Sequence, residues 1–518
     1  MIIAYSREWQ YKEIESRRQL FIDDDVVACV RNIKRTQHSP RKHPANPLIV
    51  RDKPWEVVPY FRTPCFNVAY DPAEKLFKCW YEDMYSYFGM SKVDILQGDR
   101  IYYAESTDGI HWHKPAFDKL LHDGQGTNCV FSYPPVEMAS CNTILFDPND
   151  PDPARRYKSQ YVLRTRNINR PKISPMPGPH SNGLHLAFSP NGIDWTPYAG
   201  NPLIKKWGSD VEILTYDPID RKYVLFGRAD GKEWVEHPEA DTWFLPVYPG
   251  GVQGIWGTRR CVFRMESTDL MNWSEPKLIF DACEGFDLDN APYGLVPFRV
   301  DEMHLGILNI LHEVDNTLDM ELIHSRDGVN WRRFPGQRPL LPRGPAGSYD
   351  SLDIETPTQP LVVGDEIWIY YGGMSVHHDW WLFGKEEGLD IPEANDPQYA
   401  QNGHHLCLAT LRLDGWVSLD ATIREGYVET KPVFSTGAHL FINGRCEPGG
   451  TIQVEVMDNW NHVWSGYGKG DCHTFTGDSV HHKVAWTAGD AINMIPGIVK
   501  LRFHLRNAEL YSFQIADA

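Results

Sequence analysis

The sequence has no run of 18 or more apolar residues, so no segment reads as a membrane-spanning helix. It also lacks any long run of Lys or Arg. Its 51 basic residues are outnumbered by 69 acidic ones, giving a formal charge of -18 at pH 7. That balance argues against nucleic acid and against an anionic membrane as partners. None of the ten cysteines forms a CxxC pair, which argues against a zinc ribbon and a dense disulfide framework. Most of them read as buried thiols. Residues Met1 to Arg7 show no basic stretch followed by an apolar one, so no signal peptide is expected, and the chain reads as cytoplasmic or as a trimmed secreted form. No cofactor is expected.

What the sequence has in abundance is turn formers and aromatics. With 41 Gly, 38 Pro and 12% aromatic residues in 518, many short strands joined by tight turns suit it better than long helices. At this length, two domains or one repeat-built domain with an appendage are expected.

A repeat confirms the second option. Ser106-Thr107-Asp108-Gly109-Ile110-His111-Trp112 recurs as Ser189-Pro190-Asn191-Gly192-Ile193-Asp194-Trp195, as Ser267-Thr268-Asp269-Leu270-Met271-Asn272-Trp273 and as Ser325-Arg326-Asp327-Gly328-Val329-Asn330-Trp331. A worn fifth copy ends at Asp414-Gly415-Trp416. In each, Asp or Asn caps a tight turn and Trp packs back over the hairpin, with Gly supplying positive φ except in the third copy, where Leu270 replaces it. A second turn precedes each copy: Tyr70-Asp71-Pro72, Phe146-Asp147-Pro148, Tyr216-Asp217-Pro218, Arg299-Val300-Asp301 and Val363-Gly364-Asp365. Two signals at this spacing predict five blades of four strands. The expected fold class is all-β, a five-bladed β-propeller with a C-terminal β-sandwich. The expected division is 1–54 as an arm and closing strand, 55–416 as propeller and 417–518 as sandwich. Gly384 to Asp390 reads as part of an inserted loop.

The turns also act as a ruler. Counting back nine places from each inner turn gives Arg62, Met138, Gly208, Asn290 and Glu355, where the inner strands begin beside the axis. Acidic residues crowd three of these starts: Asp210 and Glu212, Asp287 and Asp289, and Asp350, Asp353 and Glu355. Such convergence suits glycoside hydrolysis, which needs one carboxylic acid to protonate the leaving oxygen and one carboxylate as base or nucleophile. Aromatic rings would stack on the sugar. The expected catalytic residues are Asp210, Asp289 and Glu355. Arg62, Glu82, Glu212, Asp287, Asp353, His377 and Trp380 are expected to bind a carbohydrate substrate. His377-His378-Asp379 invites a metal reading, but adjacent histidines in a strand point to opposite faces, so no metal is expected.

These hairpins, the Tyr-Asp-Pro turns and Glu355-Thr356-Pro357 together resemble the five-bladed propellers of glycoside hydrolase families 32, 43, 68 and 130, and especially bacterial family-32-like proteins. Glu355-Thr356-Pro357 is similar to the Glu-Cys-Pro motif that carries the general acid of fructosidases, so the resemblance implies that role for Glu355. The chain departs from the family where Arg62-Thr63-Pro64 stands in place of the Trp-Met-Asn-Asp-Pro-Asn nucleophile motif, and it has no clear Arg-Asp-Pro. The departures point away from a fructosidase and toward a rearranged set with Asp210 and Asp289. The alternatives are a glycoside phosphorylase, with Arg62 and a histidine on phosphate, and a carbohydrate-binding propeller without catalysis. The terminal sandwich offers a surface for a second copy, so a homo-oligomer is a further expectation.

Overall fold

A computed structural model describes residues 11–84, 100–132, 138–164, 183–205, 211–230, 260–280, 286–287, 289–385, 387–493, 495 and 497–517. Its described part is almost entirely β-structure, in agreement with the all-β class. Four antiparallel meanders follow one another along the chain. The first runs through Phe66–Asp71, Leu76–Asp83, Arg100–Ser106 and Cys129–Ser132. The second is built on Met138–Phe146, Tyr157–Arg164 and Gly183–Ser189, and the third on Glu212–Asp217, Lys222–Asp230, Arg260–Ser267 and Lys277–Phe280. Asn290–Val300, Met303–His312 and Thr317–Ser325 carry the fourth.

A fifth set places Asp353–Glu355 and Leu361–Val363 on Glu366–Met374, which pairs with His404–Arg412. Its outer partner comes from the other end of the chain, because Arg41–Lys42 pairs with His404–Arg412. The fourth and fifth sets join through one parallel bridge, Leu318 to Asp353. The last hundred residues supply five strands of an eight-stranded sheet, built around the long strands His439–Met457 and Lys500–Ala516. Gln19–Leu20, Val27–Arg31 and Lys34–Gln37 of the N-terminal arm belong to that sheet.

The repeated hairpin does more than turn the chain. In the second copy Asn191 Oδ1 accepts from the backbone N–H groups of Ile193 and Asp194, while Trp195 Nε1 donates to Gly192 O. That same carbonyl accepts Trp80 Nε1 of the first meander at 2.7 Å, so the hairpin docks one sheet on the one before. Gly192 sits at φ +78, and a Cβ there would stand 2.4 Å from the Trp80 ring. Gly192→Ala is therefore expected to cost about 2–4 kcal/mol, from the left-handed backbone plus overpacking. Denaturant unfolding read by Trp fluorescence checks it; a loss below about 1 kcal/mol would show that the hairpin is not a lock. The third copy keeps the conformation with Leu270 at φ +71 and buries that side chain between the second and third sheets instead.

The inner turns link neighbours the other way round. Asp71 accepts Tyr157 Oη at 2.7 Å, Asp147 accepts Tyr223 Oη at 3.1 Å, and Asp217 accepts Arg299 Nη1 at 3.0 Å. Each aspartate thus ends one inner strand and ties it to the next sheet. A cavity of about 340 Å³ lies at this end, lined among others by Asp147, Asp217, Arg299, Phe298 and Trp416. The opposite ends of the inner strands carry the carboxylates.

The stretch around Gly384 to Asp390 is framed by short helices, Trp380–Phe383, Pro392–Asn395 and Pro397–Gln401, which the sequence reading did not anticipate. Four- and five-residue helices leave too short a periodic pattern to be read.

Candidate functional site

The site is assembled around a buried guanidinium. Arg62, just ahead of the first inner strand, is fully buried and places Nη1 on Asp353 Oδ2, 3.4 Å from Glu355 Oε1 and 3.2 Å from His378 Nδ1. Its Nη2 donates to the carbonyls of His377, at 3.0 Å, and Val376, at 3.4 Å. Asp353 Oδ1 accepts the Leu318 N–H, and Glu355 Oε2 accepts the Thr63 N–H at 3.0 Å. The peptide after Glu355 is clamped by Asn309, whose Oδ1 accepts Thr356 N–H while its Nδ2 donates to Thr356 O. Register alone had marked Arg62 and Glu355 as equivalent positions on different strands. They meet.

Both acids are fully buried, and burial dominates their chemistry. It pushes Glu355 up to about 7 against the pull of Arg62, with the neighbouring Asp353 adding to the rise. Asp353 is pushed up to about 6, because burial again outweighs Arg62. Arg62 moves upward: burial opposes its charge, but Asp353, Tyr60 and Glu355 more than compensate. The donor atoms of Asp353, Glu355 and His378 lie within 4.8 Å of one another, a spacing that suits a cation. The guanidinium of Arg62 already fills that role, with its Nη1 contacting all three.

The two histidines diverge, as adjacent residues do, although they follow the strand Glu366–Met374 rather than lie in it. His378 is buried, with the Tyr293 ring edge-on at 4.9 Å. His377 turns to Glu393 of the helix Pro392–Asn395, which its Nδ1 contacts, and its ring lies 4.6 Å from that of Trp380. Trp380 opens the helix Trp380–Phe383, whose first N–H groups are held by Asn316: Oδ1 accepts Asp379 N at 2.7 Å and Trp380 N at 3.2 Å. Glu393, Asn309 and Asn316 were missed from sequence. None belongs to a repeat, and only the Pro before Glu393, a helix-start signal, could have drawn attention to it.

The remaining candidates are dispersed. Asp210 lies outside the described residues, as does Gly208 of the strand count. Glu212 is buried at the start of its strand. Glu82 is buried beside Asp83, whose carboxyl accepts the Val57 and Val58 N–H groups and is pushed up to about 7 by burial. Asp287 is exposed. Asp289 has a side chain 42% exposed, and its Oδ1 accepts the N–H of Val314, in the loop after Met303–His312. Beside it Asn290 Oδ1 contacts His312 Nδ1 at 2.7 Å, and His312 Nε2 contacts Asp319 at 3.0 Å.

No family model matches the chain, and no curated protein matches it in sequence. Solved structures do. A β-fructofuranosidase of glycoside hydrolase family 32 from Bombyx mori is 12% identical, with 93% of this chain and 95% of that one covered and a TM-score of 0.39. A structure from the family-130 mannoside phosphorylases, a family described as containing hydrolases of β-1,2-mannosidic linkages in Candida mannan, is 16% identical over 73% and 94%, at 0.39. An N-acetylgalactosamine deacetylase from F. plautii, in complex with blood group B trisaccharide, is 14% identical over 73% and 96%, at 0.41. At these identities and TM-scores the chemistry of the chain has to be read from its own residues.

Proposed function

We propose that the chain is a glycoside hydrolase built as a five-bladed β-propeller with a C-terminal β-sandwich, in which Glu355 protonates the leaving oxygen. Five successive strand sets, each inner turn of the first three bound to its neighbour, support the ring. The observation that carries the chemistry is Glu355 itself, a carboxyl pushed up to about 7 and so able to hold a proton near neutrality. Arg62 and Asp353 act as its positioning pair. Asp210 is the proposed second carboxylate and Asp289 the group that orients substrate. Glu82, Glu212, Asp287, His377 and Trp380 are proposed contacts for the carbohydrate. A sugar substrate is in keeping with the proteins named above.

Hydrolysis is favoured over phosphorolysis because the Arg62 Nη1 and Nη2 groups are engaged by the protein and leave no free fork for phosphate. The test is a glycan screen for new reducing ends, with and without inorganic phosphate, repeated with Glu355→Gln. Full turnover by that variant would remove Glu355 from the mechanism, and a strict need for phosphate would replace hydrolysis with phosphorolysis.

A second reading, carbohydrate binding without catalysis, is favoured by the complete burial of Glu355. Tight glycan binding in the same screen with no new reducing end would select it.

A further inference from the structure

Among the residues around Arg62, His377 differs in facing outward. Arg62, Asp353 and Glu355 are each 0% exposed, whereas the His377 side chain is 17% exposed. Its carbonyl accepts Arg62 Nη2 at 3.0 Å, so its backbone is tied to the guanidinium that contacts Asp353 and Glu355. The residue is therefore joined to the Glu355 group through its backbone, while its ring is the part that solvent reaches.

The partner of His377 fixes how the ring can act. Glu393 is buried, contacts Nδ1 and also accepts the His377 backbone N–H at 3.3 Å. Burial would raise this carboxyl, but the hydrogen bonds from His377 hold it below the usual carboxylate range. A carboxylate on Nδ1 selects the tautomer with its hydrogen on Nδ1 and a lone pair on Nε2. Among the described residues Nε2 has no hydrogen-bond partner. Trp380, half-buried, lies with its ring 4.6 Å from the His377 ring and tilted to it.

We propose that His377 is the base that takes a proton from the attacking water, with Glu393 as its positioning residue and Trp380 as the ring on which the sugar rests. The proposal rests on the glycosidase reading and replaces Asp210 as proton acceptor. In the step, the water oxygen forms a bond to the anomeric carbon while its proton passes to His377 Nε2. The bond from that carbon to the glycosidic oxygen breaks, its electron pair stays on the oxygen, and the oxygen takes the Glu355 proton. His377 is left protonated and Glu355 ionised, and exchange with solvent restores both.

A purely structural His377–Glu393 pair would tie the helical insertion to the site and do no more. Two measurements separate the cases. On a glycan that the unmodified protein cleaves, His377→Gln is expected to lower kcat by about 100-fold or more with KM within a few-fold. Glu393→Gln should lose kcat by about 10-fold with melting temperature preserved, and Glu393→Asp should recover part of the loss. If Asp210→Asn were inactive while His377→Gln kept more than half of its kcat, the proton acceptor would be Asp210; the inference would fall and the glycosidase reading would stand. The second measurement is ring ¹⁵N NMR of the substrate-free protein, with His377→Gln for assignment. The neutral ring is expected to carry hydrogen on Nδ1, and hydrogen on Nε2 would overturn the inference without recourse to turnover. No cleavage of any glycan by the unmodified protein would remove the glycosidase reading and this inference together.

Discussion

Arg62→Ala is expected to destabilise the fold by about 3–5 kcal/mol, the largest loss anticipated for any single substitution at the site. The guanidinium is the one cation in contact with both Asp353 and Glu355 among the described residues, and all three side chains are fully buried. Truncation would leave two carboxyl groups facing a void with no countercharge. They would respond by holding their protons more tightly, so the loss should be smaller at pH 5 than at pH 8. Urea unfolding at the two pH values measures this. Equal losses at both would mean that the acids do not depend on Arg62 for their charge.

Glu355→Gln should separate stability from activity. Turnover is expected to fall by about 100-fold or more, as for loss of a general acid. Stability should move the other way at high pH, and the sign follows from linkage. Glu355 goes from an ordinary 4.5 up to about 7 in the fold, so between these values the folded state holds a proton that the unfolded chain has released. Its contribution is fully present below about 4.5 and is lost as pH rises toward 7. Asp353, pushed from 3.8 up to about 6, acts in the same direction over a lower window. Glutamine keeps an oxygen for the Thr63 N–H and has no proton to lose. Melting temperature should therefore fall less between pH 5 and pH 8 in the variant, and at pH 8 the variant should melt at or above the parent. An unchanged slope would show that Glu355 is not the group titrating there.

Much of this arrangement could be read from residues, and what could not has physical reasons. The hairpins around Asp108, Asn191, Asp269 and Asp327 are local: each side-chain oxygen bonds N–H groups two and three residues on, so the pattern is complete within seven residues. Counting from the inner turns worked for Arg62 and Glu355 because strands of one register end together. The second function of Asp71, Asp147 and Asp217, as ties between sheets, was hidden, since their partners lie 80 or so positions away in a different unit. Glu393 was hidden differently, since it lies only 16 positions from His377. It reaches His377 through an insertion whose path no repeat dictates. Acidity alone was a poor guide: Asp287 and Asp289 look like Asp353 and Glu355 in sequence, yet the Asp289 carboxylate is part-exposed and binds the Val314 N–H.

The N-terminal arm has a consequence for how the protein is made. Arg41 pairs with Thr410 and Gln19 with Phe513, so the arm's partners are synthesised several hundred residues after the arm itself. At ordinary rates of synthesis Arg41 waits on the order of 20–75 s for its strand to exist. During that interval its short strands are unpaired edges, open to the wrong neighbour. The arm carries Arg31, Lys34, Arg35, Arg41 and Lys42 within or at the ends of those strands. In a chain that is acidic overall, this local concentration of positive charge would repel a second nascent arm, keeping each one single until its own C-terminal partners arrive.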